Sequence, residues 1–128
     1  MGTGIRITAQ HMSFPVKDLA RAREFYEGVL GLEEIPRPAQ FTFPGAWYQA
    51  GECEVHLIQT PEGLDLGDPP KALHPMARHS AFAVNDYREA LEHLKSFGLE
   101  VLESNEKMGQ MWVRDPDGNI IELIAIAR

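Results

Sequence analysis

Apolar and polar residues alternate along several short stretches of the chain, which is typical of strands with one buried face. Between residues 11 and 16, Met12, Phe14 and Val16 share one face, because side chains two positions apart in a strand point to the same side. The stretch 79–84 repeats this pattern. Further β-like stretches, bounded by turn residues, are predicted at 33–37, 46–50, 54–59, 101–104, 110–114 and 119–126.

Each half of the chain also contains one helix-like stretch that begins after an aspartate. Asp18 and Asp86 are predicted N-caps, because an aspartate side chain accepts the free backbone N–H groups of the first helical turn. Gly31 and Gly98 follow the two stretches, and glycine suits the left-handed residue that ends a helix. The segment 115–118 is predicted to join the last two strands as a hairpin turn.

The two halves are related by an internal repeat. At a constant offset of 68 residues, the set His11, Phe14, Val16 and Asp18 recurs as His79, Phe82, Val84 and Asp86. Each half therefore reads β-α-β-β-β. The predicted fold class is α+β, with two tandem βαβββ modules that form curled mixed sheets around a cleft. Module one is expected at about 5–60, a linker rich in Pro, Gly and Asp at about 61–76, and module two at about 77–128, within one domain.

Composition narrows the environment and the partners. A formal net charge of −7 argues against nucleic-acid binding, because nucleic-acid-binding proteins normally carry a basic face. No apolar run approaches the roughly 20 residues that cross a bilayer, and the first residues lack the features of a secretory signal. The single cysteine, Cys53, leaves no internal disulfide and fits a reducing compartment. We therefore expect a soluble, cytoplasmic protein with no nucleic-acid or membrane partner.

Four residues with metal-binding side chains lie on the strand faces opposite the apolar residues: His11, His56, His79 and Glu122. They become neighbours if the sheets of the two modules curve toward a common centre. An unpaired carboxylate or imidazole is costly to bury, and one divalent cation would satisfy all four. Neutral imidazoles with one carboxylate suit Zn, Ni, Fe or Mn. The alternative is histidines bonded to backbone carbonyls, which is the interpretation favoured for His74 and His93.

Two sequence motifs give independent support to the prediction of a metal site. The spacing His11-x6-Asp18 with the following FYEGVLGLE, and the segment DPDGNIIEL at 115–123, resemble the vicinal oxygen chelate superfamily of glyoxalases, bleomycin-resistance proteins and extradiol dioxygenases. The resemblance covers essentially the whole chain, and the segment 41–59 looks like members described as glyoxalase-like. In that superfamily the first, fourth, fifth and eighth strands supply the metal ligands. The resemblance therefore implies that His11, His56, His79 and Glu122 bind the metal.

Position 56 departs from the glyoxalase pattern. Glyoxalase I enzymes that resemble this chain usually have a glutamate there, whereas this chain has His56 and keeps only Glu122. Two carboxylates beside the metal serve that isomerase in ligation and proton transfer. The departure therefore predicts weak or no glutathione-dependent glyoxalase activity. Glu54, on the same strand face, is a candidate second carboxylate or a solvated rim residue.

The resemblance implies three functional hypotheses. The first is a metal-dependent, glyoxalase-like lyase or isomerase, in which the metal takes two oxygens of a small substrate and stabilises an enolate, with Glu122 or metal-held water as the base. The second is an extradiol-type dioxygenase that uses His11, His79 and Glu122, or a thiol transferase. The third is a non-catalytic small-molecule binding or resistance protein. Relatives of that third kind typically lack the metal residues, which this chain retains.

Aromatic and basic residues near these strands are candidates for substrate contact. The predicted substrate-binding residues are Trp47, Tyr48, Trp112 and Arg114. Other residues that could line the same apolar pocket, or belong to ordinary core packing, are Phe41, Phe43 and Met111. Further candidates to pair with an anionic substrate group are Arg37, Arg78 and Lys107. Relatives of this length also imply a homodimer, in which the first-half ligands of one chain face the second-half ligands of the other.

Overall fold

The fold consists of two four-stranded mixed sheets, one from each half of the chain, in a computed structural model that describes residue 2 and residues 4–126. The first module contains β1 (His11–Val16), α1 (Leu19–Arg23), a π-helical segment (Glu24–Val29), β2 (Glu33–Ile35), β3 (Gly45–Ala50) and β4 (Cys53–Gln59). The second contains β5 (Ser80–Val84), α2 (Tyr87–Ser96), β6 (Leu102–Glu103), β7 (Gln110–Arg114) and β8 (Ile120–Ala125).

The strand orders of the two sheets are equivalent. They are β1-β4-β3-β2 and β5-β8-β7-β6. In each sheet the first strand pairs in parallel with the last strand of its module, and the other pairs are antiparallel. The α+β class and the two βαβββ modules predicted from the repeat are thereby confirmed. The predicted strands at 11–16 and 110–114 have the observed bounds, and the other observed strands differ from the predicted ones by one or two residues at one or both ends.

Both predicted helix N-caps are present. The Asp18 side chain accepts a hydrogen bond from the Arg21 backbone N–H, and the Asp86 side chain accepts one from the Glu89 N–H. Gly31 and Gly98 have φ angles of 67° and 72°, which is the left-handed conformation that glycine adopts without a steric penalty. The first helix differs in one respect, because it continues from α1 into π-helix over Glu24–Val29.

An extra residue accounts for the π-helical segment. Thirteen positions separate Asp18 from Gly31, whereas twelve separate Asp86 from Gly98. The Leu30 N–H bonds to the Phe25 carbonyl, five residues earlier, at 2.9 Å. A π-turn holds one more residue than an α-turn, so it takes up an insertion without displacing either end of the helix.

Strand alternation determines which residues form the core. In β1, Phe14 and Val16 are buried, whereas Ser13 and Pro15 are exposed. The buried residues of the two modules form one apolar cluster under the helices. The opposite faces of the strands are therefore left to carry the polar side chains that the sequence singled out.

The modules meet at the turn between β7 and β8, which was predicted as a hairpin turn. The buried Tyr26 hydroxyl donates to the Asp115 Oδ2 at 2.7 Å, and the Lys17 backbone N–H donates to the Asp117 Oδ1 at 2.9 Å. Asp115 also accepts bonds from the Asp117 N–H and from the backbone and side chain of Asn119. Burial raises the pKa of the Asp115 carboxyl, although these bonds partly oppose the shift.

Between the modules, residues 60–79, which include the predicted linker at about 61–76, contain neither helix nor strand. The Arg114 guanidinium holds this linker against the second module, because it donates to the Lys71 carbonyl at 2.9 Å and to the Gly118 carbonyl at 2.8 Å. Within the part of the chain that the structure describes, no helix has the length and apolar character needed to cross a bilayer.

Candidate metal-binding site

His56 and Glu122 occupy equivalent positions in the two sheets. In the first sheet, His56 lies beside Ser13 of β1 and Trp47 of β3. In the second, Glu122 lies beside Ala81 of β5 and Trp112 of β7. The repeat thus places an imidazole and a carboxylate at matching sites, each next to a tryptophan on the neighbouring antiparallel strand.

In the first module, three rings form a stack on the polar face of the sheet. The His56 ring lies 3.8 Å from the Trp47 ring and 4.1 Å from the His11 ring, with interplanar angles of 6° and 16°. His56 is 5% exposed, and its Nε2 is 2.9 Å from the Glu54 Oε1. The Trp47 and His11 rings therefore cover the two faces of the His56 ring, and Glu54 contacts one edge of it.

In the second module, a buried carboxylate meets a histidine. The Glu122 Oε1 lies 2.8 Å from the His79 Nε2, and Glu122 is 5% exposed. The Trp112 indole N–H donates to the Glu122 Oε1 at 3.0 Å, and the Gln110 amide donates to its Oε2 at 3.3 Å. Both carboxylate oxygens are therefore oriented by side chains of β7.

Each of the three histidines has one ring nitrogen beside an oxygen acceptor. The acceptors are the Gln10 side-chain oxygen for the His11 Nδ1, the Glu54 carboxylate for the His56 Nε2 and the Ala77 carbonyl for the His79 Nδ1. A ring nitrogen approaches such an oxygen as an N–H donor, so the other nitrogen of a neutral ring carries the lone pair. Metal-binding histidines are typically held in this way.

The His79–Glu122 contact brings a histidine ring nitrogen against a buried carboxylate. Because the His79 Nδ1 donates to the Ala77 carbonyl, the Nε2 of a neutral ring presents its lone pair to the Glu122 carboxylate. Two acceptors at 2.8 Å repel each other unless a proton or a metal cation neutralises them. The donor set of this pair therefore fits a divalent cation.

The four predicted ligands come together as two pairs. His11 and His56 are adjacent in the first module, and His79 and Glu122 are adjacent in the second. Among residue 2 and residues 4–126, no group of three or more His, Cys, Asp or Glu side chains is close enough to hold a metal ion. A single chain thus holds the four side chains as two separate pairs, which we call the first half-site (His11 and His56) and the second half-site (His79 and Glu122).

The two tryptophans of these half-sites differ in their hydrogen bonds. The Trp112 N–H donates to Glu122, but the Trp47 N–H is buried and has no hydrogen-bond partner in the described part of the chain. The difference follows from position 56, where an imidazole stacks on the indole ring instead of presenting an oxygen to its edge. An unpaired buried donor costs about 1–3 kcal/mol.

The predicted substrate-binding residue Tyr48, and Met111, which we gave as either a pocket or a core residue, both lie on the core side of the sheets. Tyr48 is fully buried on the helix-facing side, where its hydroxyl donates to Glu27 at 2.6 Å and burial raises its pKa. Met111 is fully buried in the core. Each is adjacent in sequence to a tryptophan that faces the site, and neighbouring strand residues point to opposite faces. Neither is therefore a substrate-facing residue.

The other aromatic candidates lie beside the first half-site. The Phe41 ring is 5.1 Å from the Trp47 ring and 5.7 Å from the Phe43 ring. Arg37 lies over the Phe43 ring at 5.4 Å and donates to the Phe43 carbonyl at 2.7 Å. These residues extend the ring stack into a partly exposed aromatic wall.

The basic candidates and the remaining histidines are largely engaged elsewhere. Arg114 is on the Glu122 face of β7 but binds backbone carbonyls, and Arg78 donates to the Asp68 carbonyl at 2.8 Å. Lys107 is exposed in the turn before β7. His93 is exposed and within 2.7 Å of the Val29 carbonyl, as predicted, whereas the His74 Nδ1 accepts a bond from the Met76 N–H.

A cavity of about 890 Å³ adjoins His79. It lies between the exposed face of β1, the linker and the start of β8, and its wall includes Lys17, Arg78 and Asn119. Sequence patterns missed this cavity, because the linker that bounds it has no periodicity. They also missed Gln110, although its position two residues before Trp112 places it on the same strand face.

The chain is similar to known proteins over almost its full length. The model of the Glyoxalase/Bleomycin resistance protein/Dioxygenase superfamily matches residues 8–123. Glyoxylase I 4 of Arabidopsis thaliana is 30% identical over 95% of this chain and 73% of its own length. The crystal structure of a Bacillus anthracis protein assigned to the glyoxalase family is 28% identical in sequence. Its TM-score is 0.77, and the match covers 99% of this chain and 100% of that one. A glyoxalase/dioxygenase structure from Nostoc punctiforme has a TM-score of 0.79 at 22% identity, over 100% and 97% of the two chains.

Proposed function

This chain belongs to the Glyoxalase/Bleomycin resistance protein/Dioxygenase superfamily, and on that basis we propose that it is a metal-dependent, glyoxalase-like lyase or isomerase. Its substrate would be a small molecule with two adjacent oxygens. The observation that carries the proposal is the His79–Glu122 pair, in which the His79 Nε2 lies 2.8 Å from the Glu122 Oε1 while the Ala77 carbonyl holds the His79 Nδ1. Such a pair calls for a cation, and the other two histidines have one ring nitrogen each left to bind it.

His11, His56, His79 and Glu122 would hold the ion. Three imidazoles and one carboxylate suit Zn, Ni, Fe or Mn. Bound there, a divalent cation would act as a Lewis acid toward two substrate oxygens. The chain itself contributes a buried, preorganised carboxylate, because Trp112 and Gln110 hold both oxygens of Glu122 and reduce its freedom to turn toward water.

Glu122 is also our candidate for moving a proton of the substrate. Its Oε2 accepts only the longer bond, from Gln110 at 3.3 Å, whereas its Oε1 lies 3.0 Å from the Trp112 indole nitrogen and 2.8 Å from the His79 Nε2. An oxygen with one weak donor is the more available for a proton. We therefore assign ligation to one oxygen of Glu122 and proton transfer to the other.

The substrate is proposed to lie between the aromatic wall and the cavity beside His79. The cavity volume of about 890 Å³ falls within the range usual for small-molecule sites. Trp47, Phe41 and Phe43 supply an apolar surface on the side of His56. Trp112 contacts the substrate region through Glu122, and Arg114 supports it indirectly by holding the linker.

Each complete site is proposed to form between two copies of the chain. Support comes from the division of the four ligands between two sheets and from the position of β1 and β5 at the edges of those sheets. An edge strand offers unpaired backbone groups to another chain. In a twofold dimer, the His11–His56 pair of one copy would face the His79–Glu122 pair of the other, which creates two equivalent sites.

Mixed dimers test the metal function and the shared sites together. One chain carries His11→Ala with His56→Ala, and the other carries His79→Ala with Glu122→Gln. Shared sites predict that each variant alone loses Zn²⁺ binding, whereas a co-expressed mixed dimer regains one of its two sites. Sites within one chain would stay incomplete in every mixture. A parent protein that binds no divalent metal would overturn the proposed function.

Ring cleavage of a catechol is a second candidate function. The specific observation in its favour is that His56 is held by Trp47, His11 and Glu54, so that it could remain unligated. His11, His79 and Glu122 would then form the two-histidine, one-carboxylate set of non-haem iron enzymes. Oxygen uptake with Fe²⁺ and catechol distinguishes this function from proton transfer, which consumes no oxygen.

A further inference from the structure

Glu54 and His56 form a carboxylate–histidine pair within the first half-site. They are two residues apart on β4 and therefore share a strand face. The Glu54 Oε1 is 2.9 Å from the His56 Nε2, and the two side chains are 24% and 6% exposed. Glu54 is also the register partner of His11 on β1. This carboxylate therefore lies beside both histidines of the half-site.

The aromatic stack leaves one property of the His56 ring undetermined. Trp47 and His11 cover its two faces and so fix the plane of the ring. Turning the ring by a half-turn about its bond to Cβ preserves both stacking contacts, because stacking does not distinguish Nδ1 from the carbon on the other side. Only a partner at the edge of the ring separates the two orientations. In the described structure that partner is Glu54.

We propose that Glu54 is a positioning residue that selects the orientation and tautomer of His56. An anionic oxygen at 2.9 Å holds the proton on Nε2 and leaves Nδ1 as the nitrogen that can bind a metal. The step from ring orientation to metal binding rests on the proposed function. The pairing itself does not, because it can be measured in the metal-free protein.

The pair also changes the charge of the half-site. Position 56 contributes an imidazole where the equivalent position of the second module contributes the carboxylate of Glu122. Glu54 supplies a carboxylate to the first half-site, where it would contact the ligand His56 and not the metal ion itself. An outer carboxylate of this kind makes the bound imidazole a better electron donor, and its removal typically weakens metal binding about 10–100-fold.

Three variants separate positioning from simple charge and from folding. Glu54→Ala removes the acceptor, whereas Glu54→Gln keeps an acceptor oxygen and loses the charge. Glu52→Ala removes an exposed carboxylate from the turn before β4 and is the matched control. Circular dichroism and thermal melting compare the folds of all four proteins.

The first measurement is the imidazole N–H proton of His56 in the metal-free protein, detected by ¹⁵N-edited NMR and assigned with a His56→Gln variant. We expect a proton protected from exchange with water in the parent, in Glu52→Ala and in Glu54→Gln. In Glu54→Ala we expect the signal to disappear through exchange. A folded Glu54→Ala protein that keeps the protected proton would overturn the proposal.

The second measurement is Zn²⁺ affinity by competition with a chromophoric chelator. We expect Glu54→Ala to weaken binding about 10–100-fold, Glu54→Gln to weaken it less and Glu52→Ala to match the parent. An unchanged affinity in a Glu54→Ala protein that has lost the proton signal would overturn the link to the metal. If the parent itself binds no Zn²⁺, the proposed function fails, and the NMR result still decides the role of Glu54.

Discussion

The Tyr26 hydroxyl and the Asp115 carboxylate join the two modules through a buried hydrogen bond of 2.7 Å between residues 89 positions apart. Tyr26→Phe removes this donor and leaves a buried carboxylate with one bond fewer. We expect the free energy of unfolding at pH 7 to fall by about 1.5–3 kcal/mol, which is typical of a hydrogen bond to a charged group. Urea unfolding measures the change.

The same bond should make the effect of Tyr26→Phe depend on pH. Burial raises the pKa of Asp115 in the folded protein, and the bond from Tyr26 opposes that rise. A raised carboxyl pKa lowers stability as pH increases from the unfolded pKa through the folded one. The variant raises the folded pKa further, so its loss of stability should be larger at pH 7 than at pH 3. Equal losses at both values would contradict this assignment.

Tyr87→Phe is the matched control for that experiment. Tyr87 is 8% exposed, and its hydroxyl has no hydrogen-bond partner in the described part of the chain. Removing an unsatisfied buried hydroxyl relieves a desolvation penalty. We expect the free energy of unfolding to stay unchanged or to rise, and a loss similar to that of Tyr26→Phe would show that the hydroxyl has a partner.

Glu122→Gln tests the second half-site with almost no change of shape. The amide loses the negative charge that holds a divalent cation among neutral imidazoles, so Zn²⁺ affinity should fall by at least about 100-fold, more than for an outer partner. Glu100→Gln, at an exposed residue after α2, provides the charge-matched control. Chelator competition measures both proteins. Parent-like affinity in Glu122→Gln would remove Glu122 from the ligand set.

His56→Glu should make the first half-site resemble the second. A carboxylate at position 56 would offer an acceptor to the unpaired Trp47 N–H, as Glu122 does to Trp112. We expect the Trp47 indole proton to become protected from exchange with water, measured by NMR against the unchanged Trp112 proton. An indole signal that exchanges as in the parent would show that the two sites are not equivalent.

Turnover of lactoylglutathione should differ between the parent protein and the His56→Glu variant. We expect weak or no turnover by the parent, because its site has one ligating carboxylate where a glyoxalase I site usually has two. The variant should turn over the thioester faster than the parent under the same Ni²⁺ or Zn²⁺ loading. Parent turnover comparable to that of a dedicated glyoxalase would contradict the expected role of position 56.

Two glycines of the first helix should respond in opposite directions to alanine. Gly28 lies in the π-helical segment, and an added Cβ would have no atom within 4 Å apart from its chain neighbours and the backbone of its own helix. Gly28→Ala should therefore raise the free energy of unfolding by up to about 1 kcal/mol. Gly31 has a φ of 67°, so Gly31→Ala should lower it. Urea unfolding of both variants checks the sign of each effect.

Much of this arrangement follows from local sequence, because a strand repeats every two residues. Alternation in β1 and β4 correctly predicted that His11 and His56 lie on the face opposite the core. The ends of the helices were predicted from aspartates that accept free backbone N–H groups and from glycines that adopt a left-handed conformation. The error at Tyr48 could have been avoided on the same basis, because Tyr48 and Trp47 are adjacent in one strand and cannot share a face.

Other features depend on contacts that no local pattern contains. The bond from Arg114 to the Lys71 carbonyl joins β7 to an irregular linker, whereas the sequence alone indicated a substrate-binding role for Arg114. The stacking of His56 on Trp47 requires the register of β3 and β4. The division of the four predicted ligands into two pairs depends on how the two sheets are placed relative to each other, which residue periodicity does not determine.

The π-helical turn at Glu24–Val29 shows how two similar modules accommodate a difference in length. An extra residue within a strand would move every later side chain of that strand to the opposite face. Here the extra residue lies in the helix, where a wider turn accommodates it, and β1 and β2 keep registers equivalent to those of β5 and β6. Length changes in relatives of this chain should therefore be concentrated in helices and connecting loops, where they leave the ligand positions intact.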